Sequence, residues 1–262
     1  MTHDLTTRLI YGAISAIGNV NVHPDGAVLP AGVPVCKLAI ESWHVGTLPW
    51  FSATSTLGLL GGGVQIGGSR RTTPSSTSDV QLILDKSFRD PEWDYDFTNF
   101  RDTTAFYRGG QRYYRPCGWK RYAIKVKGVY ESDAWLGPPG ARHESDVDEW
   151  PVSYHGTSFD NAKSIAAHRY LVSKVKRDKY GRGIYSTPDT NIAKLYASTF
   201  NHDGKTYQAM LQNRINMKKT RFISHENYFV TEDEDSIRMY GILIREVLVH
   251  EEYSSRDSCT FL

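Results

Sequence analysis

Val152-Ser-Tyr-His155-Gly156-Thr157 and, further on, Gly181-Arg-Gly183-Ile184-Tyr185-Ser186-Thr-Pro188 decide how this chain is read. Each is a short β-rich run that carries a polar or aromatic tip and is broken by glycine. Either one alone reads as a buried strand end with a tight turn. Together they read as two walls of one cleft. Gly156, Gly181 and Gly183 lack a Cβ and would let backbone come close to a flat ligand. His155 would supply a polar tip and Tyr185 an aromatic face.

The flanking sequence supplies the frame. Arg121 to Val129 sets Tyr122, Ile124 and Val126 against Ala123, Lys125 and Lys127, the alternation of a half-buried strand. Before it, Phe106 to Trp119 mixes rings with arginines, a pattern that favours packed rings under snorkelled cations over a cleft wall. Ser158 is placed to cap a helix from Phe159 to about His168, with Ala162, Ile165 and Ala166 inward. Lys174, Lys176, Arg177, Lys179 and Arg182 crowd the next loop, a solvated run that would also attract a pyrophosphate. Thr187-Pro-Asp189 introduces a helix predicted over roughly 190–200, with Ile192, Leu195, Tyr196 and Thr199 on one stripe. Tyr207 to Ile215, Asn227 to Val230 and Arg238 to Val249 read as strands, and Glu232 to Asp235 as an acidic turn. Strands outnumber helices and alternate in hydrophobicity, so the expected class is α+β with antiparallel-rich sheets.

Size and composition bound the rest. The 262 residues suffice for one full domain with an appendage. Net charge is +2, which argues against a general nucleic-acid binder. Cys36, Cys117 and Cys259 are far apart and odd in number, so neither a disulfide framework nor a metal cluster is expected. The histidines show no ligand spacing, and no metal is expected. No window is apolar enough to span a membrane, and Leu9 to Val20 lacks the charged leader of a secretory signal. An intracellular, cytoplasmic protein is the expectation.

Residues 1–78 are rich in Gly, Pro, Ser and Thr, and they read as an irregular or flexible segment ending in a linker. Gly58 to Gly68 misses the spacing of both nucleotide-loop fingerprints. The main domain is expected over 79–253, with its core motifs in 150–249, and a tail over 254–262. Cys259-Thr-Phe-Leu262 fits a C-a-a-X prenylation box, which would confer weak, reversible membrane association.

The series His155-Gly156-Thr157, then Gly181-Arg-Gly-Ile-Tyr185-Ser-Thr-Pro, then Ala193-Lys-Leu-Tyr196-Ala, then Glu226-Asn227-Tyr-Phe-Val resembles the poly(ADP-ribose) polymerase-like ADP-ribosyltransferases. Their shared pattern is a histidine, a tyrosine and a glutamate on three separate strands. The resemblance covers about residues 150–249, and the Tyr113 to Gly137 region is similar to less familiar relatives. It implies two packed small sheets with an NAD cleft between them, and NAD as co-substrate. It also implies that the backbone of Gly156 holds the nicotinamide amide, that His155 bonds the adenosine ribose, that Thr157 belongs to the cofactor-binding set, and that Tyr185 and Tyr196 sandwich the nicotinamide. Aromatic faces suit a planar cationic ring.

The glutamate has two candidate positions. Counting back without gaps from Ile237-Arg-Met-Tyr240 places Asn227 there, and one extra residue in the acidic turn places Glu226 there. Adjacent strand residues face opposite sides, so the two would not share the cleft. Glu226 is the favoured catalytic residue, acting with His155 and Tyr185. Ala193 departs from the serine of many relatives. The implied activity is transfer of single ADP-ribose units from NAD to a macromolecule, with a protein as the expected acceptor and a nucleic acid unsupported by the charge. NAD glycohydrolysis and a catalytically inactive NAD or ADP-ribose binding module are the alternatives. The fold-sharing RNA 2′-phosphotransferases are disfavoured, since their basic set is missing.

Overall fold

The computed structural model of the chain describes residues 5–18, 21–28, 35–38, 81–84, 86–140, 142–156, 180–181 and 183–247. In chain order the described elements are α1 (Leu5–Gly18), β1 (Asn21–Pro24), β2 (Val35–Leu38), β3 (Gln81–Leu84), β4 (Tyr95–Asp96), β5 (Phe106–Arg108) and β6 (Gln111–Tyr113). Then come β7 (Lys120–Ala123), β8 (Val152–His155), β9 (Ile184–Ser186), α2 (Thr190–Lys194), β10 (Ser198–His202) and β11 (Lys205–Ile215). β12 (Thr220–Ile223), β13 (Tyr228–Thr231) and β14 (Ile237–Glu246) complete them.

β11 is the spine of the main sheet, whose antiparallel order is β10-β11-β14-β7-β4 with β8 also paired to β11. One edge of β11 is taken by β14 along most of its length. The other edge is shared end to end: β10 pairs with Lys205 to Ala209, and β8 pairs with Leu211 to Arg214. β8 therefore stops at His155, opposite Leu211, where β10 starts at Ser198, opposite Ala209. That end-to-end meeting positions the site described below.

The sheet is covered on both faces, which is why β11 is buried from Ala209 to Ile215 without alternation. Ala209, Leu211 and Ile215 join Ile237, Met239, Ile242 and Ile244 of β14 on one side. Met210 and Leu243 join Phe106, Tyr113, Trp119, Val152 and Tyr154 on the other. The parity of the buried β14 residues changes from odd to even numbers within the strand. A register shift opposite Gln212 and Asn213 accounts for it: Gln212 pairs with Gly241 and Asn213 with Met239, so Tyr240 is the extra residue of a β-bulge. Without the bulge one half of the β14 apolar set would turn to the wrong face.

Residues 5–18, expected to be irregular, are instead a helix that belongs to the core. Ile10, Ala13, Ile14 and Ile17 follow the i, i+3, i+4, i+7 spacing of one helical face and are all buried with the β11 and β14 side chains. β1, β3 and β2 form a small parallel sheet in that order, so residues 21–24 and 35–38 are ordered strands too. The Gly58 to Gly68 and linker readings lie outside the described residues, as do the helix expected over 159–168, the basic loop from Lys174 to Lys179 and the tail with Cys259.

Two element boundaries differ from expectation. The helix predicted to reach residue 200 stops at Lys194, and the chain enters β10 at Ser198. Asp203-Gly204 dictates this: both residues have positive φ (46° and 74°) and form the two-residue turn that pairs β10 with β11. The strand predicted to Val129 ends at Ala123, with one further bridge from Ile124 to Arg89 and a turn at residues 127–129. Its alternation survives in part, since Tyr122, Ile124 and Val126 are buried while Lys125 and Lys127 are exposed. The rings of Phe106, Tyr113 and Trp119 are buried under arginines, with Arg115 over both Phe100 and Phe106. The antiparallel-rich, mixed α and β class holds. Among the described residues no helix is long and apolar enough to cross a membrane.

Upstream of β8, the Glu149 carboxylate is fully buried among Arg108, Arg142 and Arg214. Burial alone would raise its proton affinity, but the Arg142 and Arg214 contacts outweigh that and hold it below the ordinary glutamate range. Arg214 also donates to the carbonyls of Trp150 and Leu136, and Arg108 to those of Tyr107 and Arg142. The cluster is a structural clamp on the loop that delivers β8.

Because Ile14 is 2% exposed and faces the main core, Ile14→Ala should destabilise the whole domain by about 2–5 kcal/mol. A denaturant titration followed by tryptophan fluorescence measures it. A loss below about 0.5 kcal/mol, the usual scale of a surface change, would mean that α1 unfolds separately.

Candidate functional site

Two short backbone hydrogen bonds build the site. Tyr154 N–H donates to the Thr187 carbonyl (2.7 Å) and Thr187 N–H donates to the Tyr154 carbonyl (2.9 Å), joining β8 to the end of β9. β9 in turn pairs with β13 in a separate antiparallel sheet, β12-β13-β9. The bridge is thus a seam between two sheets, and His155 and Tyr185 lie on either side of it.

His155 ends β8 and its Nδ1 lies 2.6 Å from the Tyr185 carbonyl oxygen. A carbonyl only accepts, so Nδ1 carries the proton and, in the neutral ring, Nε2 is the acceptor nitrogen. Burial lowers the proton affinity of the imidazole below its ordinary range, while the bond to the Tyr185 carbonyl acts against it.

Gly156 is required by the packing around it. A Cβ there would lie 2.3 Å from the Ala193 carbonyl oxygen and 2.8 Å from the Tyr196 Cβ. Its bare face accommodates the last turn of α2 and the residue Tyr196 that follows it. Gly183 is similar, since a Cβ would sit 2.6 Å from Val230 Cγ1 on β13. Gly181 adopts φ +92° in the turn before β9. Gly156 and Gly183 thus close protein on protein, and the side chains around them line the candidate site. Thr157 lies outside the described residues.

Tyr185, on β9 opposite Val230, points its hydroxyl back at its own loop: it donates to the Gly181 carbonyl (2.8 Å) and accepts from Tyr180 N–H (3.2 Å). Its ring meets Tyr228 edge-on at 6.4 Å. Tyr196 follows α2 and is 47% exposed, so it is not the core residue that a helical stripe would make it. Leu195 of the same stripe is also exposed. The Tyr196 hydroxyl is 3.2 Å from that of Tyr228. Burial and then the Tyr196 bond push the Tyr228 phenol up to about 12, with the Glu226 charge adding to the shift. Tyr228 therefore stays protonated throughout the working range.

Glu226 and Asn227 do not lie on a strand. They belong to the loop 224–227 that joins β12 to β13, so the expectation of a glutamate on a third strand, with its neighbour facing the opposite side, is corrected. Asn227 has φ +58°, a left-handed conformation that asparagine tolerates better than most side chains, and its carbonyl accepts from Thr187 Oγ1 (2.8 Å). The Glu226 carboxylate accepts from the Tyr180 hydroxyl at 2.8 Å. That same hydroxyl is 3.1 Å from His225 Nε2.

The structure thus brings His155, Tyr185, Tyr196 and Glu226 to one seam. It adds Tyr180, His225 and Tyr228, which sequence reasoning passed over. Tyr180 directly precedes Gly181 and Tyr228 directly follows Asn227, so their adjacency to the motifs was the available signal. No protein-family model matches the chain, and no curated protein matches it.

The depressed proton affinity of His155 has a pH consequence. The unfolded histidine titrates near 6.5 and the folded one below it, so the contribution is complete above about 6.5 and is lost as pH falls through that window. Comparing unfolding free energies at pH 7 and pH 5, the parent should lose more than His155→Asn, which cannot take up the proton. Equal losses would mean that the imidazole titrates normally.

Proposed function

We propose that the chain is an NAD-dependent ADP-ribosyltransferase of the poly(ADP-ribose) polymerase-like kind, transferring single units to a macromolecular acceptor, with a protein as the acceptor class. The observation that carries this reading is the convergence of His155, Tyr185, Tyr196 and Glu226, remote in sequence, on the seam between two antiparallel sheets.

The residues fit the chemistry. A neutral His155 with its proton on Nδ1 leaves an acceptor nitrogen suited to a ribose hydroxyl. Tyr185 and the half-exposed Tyr196 offer faces to a flat cationic ring. In the reaction, the bond from the ribose carbon to nicotinamide breaks with its electron pair leaving on nicotinamide. An acceptor oxygen or nitrogen bonds the same carbon and loses a proton. Positive charge builds on the sugar in the transition state, as in glycoside cleavage. A carboxylate beside it stabilises that state more than the ground state, and Glu226 supplies one. The Asn227 identity follows from its turn conformation, which leaves Glu226 as the group with chemistry to offer.

Incubation of the full chain with NAD labelled on the adenine, with nicotinamide release and label transfer followed together, tests the reading. Release with transfer to protein is the expected result. Release with only free ADP-ribose would favour the glycohydrolase, and NAD binding without release the binding module. Glu226→Gln should bind NAD almost normally and lose about 10²–10³ in rate. Asn227→Gly, which keeps the turn, should retain most of it. The reverse pattern would return the role to Asn227.

Tyr196→Ala should weaken NAD binding by about 1–3 kcal/mol, the usual scale of a lost stacking face. Calorimetry on the folded variant measures it, and unchanged affinity would remove Tyr196 from the binding set.

A further inference from the structure

We propose that Tyr180 is a positioning residue that holds the Glu226 carboxylate and the Tyr185 ring in one arrangement, an inference that rests on the reading of the site given above. Three groups of this one residue reach three elements. Its hydroxyl donates to Glu226 Oε1 (2.8 Å), on the loop between β12 and β13. Its N–H donates to the Tyr185 hydroxyl (3.2 Å), on β9. Its carbonyl accepts from Arg221 Nη2 (2.9 Å), on β12.

The proton arrangement follows from the donor inventory. An ionised carboxylate only accepts, so the single phenolic proton of Tyr180 goes to Glu226. His225 Nε2, 3.1 Å from the same oxygen with its ring edge-on at 5.5 Å, must then carry a hydrogen and donate to it. The chain runs from His225 to Tyr180 to Glu226, and each bond polarises the next toward the carboxylate. Tyr185 is tied to the same residue through the main chain and returns a bond to the Gly181 carbonyl (2.8 Å). A displacement of Tyr180 therefore moves the carboxylate and the aromatic face together. That coupling suits a reaction in which both must meet the two sides of one glycosidic bond.

Tyr180→Phe tests this on the full chain. It deletes one oxygen from a partly buried side chain and leaves both main-chain bonds, so the fold is kept. The expected result is a fall in kcat for nicotinamide release of about 10- to 100-fold, the scale of a misplaced catalytic group, with KM for NAD within about two-fold, as for a group that matters to the transition state alone. The acid limb of the pH profile should move to higher pH, because the ionised carboxylate has lost a donor. In a Glu226→Gln background Tyr180→Phe should cost nothing further, as for residues that act as one unit. Unchanged kinetics, a change in KM alone, or a full additional loss in that background would each overturn the proposal. If the parent releases no nicotinamide, the enzymatic reading fails on its own account. Amide hydrogen exchange then decides for Tyr180: faster exchange over 224–227 in Tyr180→Phe supports the tie, and unchanged exchange removes it.

Discussion

The reciprocal hydrogen bonds between Tyr154 and Thr187 are the constraint on which the site depends. They connect two sheets that share no other named strand pairing among the described residues. Thr187 serves the seam a second time through its side chain, donating to the Asn227 carbonyl and accepting from Asp189 N–H. One residue therefore fixes the end of β8, the loop before β13 and the start of α2. Tyr154 contributes in the same way on its side: it is fully buried, and its hydroxyl donates to the Tyr114 carbonyl. The Tyr154 and Thr187 backbone groups at the seam are satisfied by each other, and the His155 ring adds a further tie to the Tyr185 carbonyl.

The second constraint is the division of one β11 edge between β10 and β8. Two strands meeting end to end leave a gap where neither continues the ladder. The chain fills it from both sides, with Gly156 leaving β8 and Tyr196 approaching β10. Only glycine lets these two backbones pass, given the 2.3 Å that a Cβ would leave to the Ala193 carbonyl. The clamp around Glu149 matters for the same reason. It holds the loop before β8 so that the strand enters at the register placing His155, rather than Tyr154, at the open end.

Much of this was legible in the sequence, and the omissions have physical causes. The strands over β13 and β14 were readable because β-branched and aromatic residues are concentrated there. His155 and Tyr185 stand out in the sequence through the glycines of their motifs. α1 was not readable, because Gly12 and Ser15 between its isoleucines mask the periodicity that Ile10, Ala13, Ile14 and Ile17 obey. The helix after Asp189 was overextended because Ile192, Leu195 and Tyr196 suit a helical face, and a strong local pattern outweighed Asp203-Gly204, the better hairpin signal. The bulge at Tyr240 could have been read from the shift in apolar parity between Met239 and Ile242. The meeting of β8 and β10 on one edge could not, since it depends on long-range pairing that no local pattern encodes.

Glu226 and Asn227 illustrate how backbone demand separates from chemistry. In a gapless register the second of the pair takes the place of the carboxylate, and the first is a bystander. On the proposed reading the loop reverses that order. Its fourth position needs positive φ before the chain enters β13, and an asparagine adopts this with less strain than a glutamate would. The carbonyl of that position is then aimed at Thr187 and becomes part of the seam. A carboxylate at the same position would meet the turn requirement poorly and would be tied to a residue whose main chain is already committed. One residue earlier the main chain closes the loop, from Glu226 N–H to the Ile223 carbonyl. There the side chain reaches the Tyr180 hydroxyl and adds its charge to the surroundings of Tyr228. Glu226 is thus the residue of the pair whose side chain faces the aromatic groups, which on the proposed reading is the place for the carboxylate.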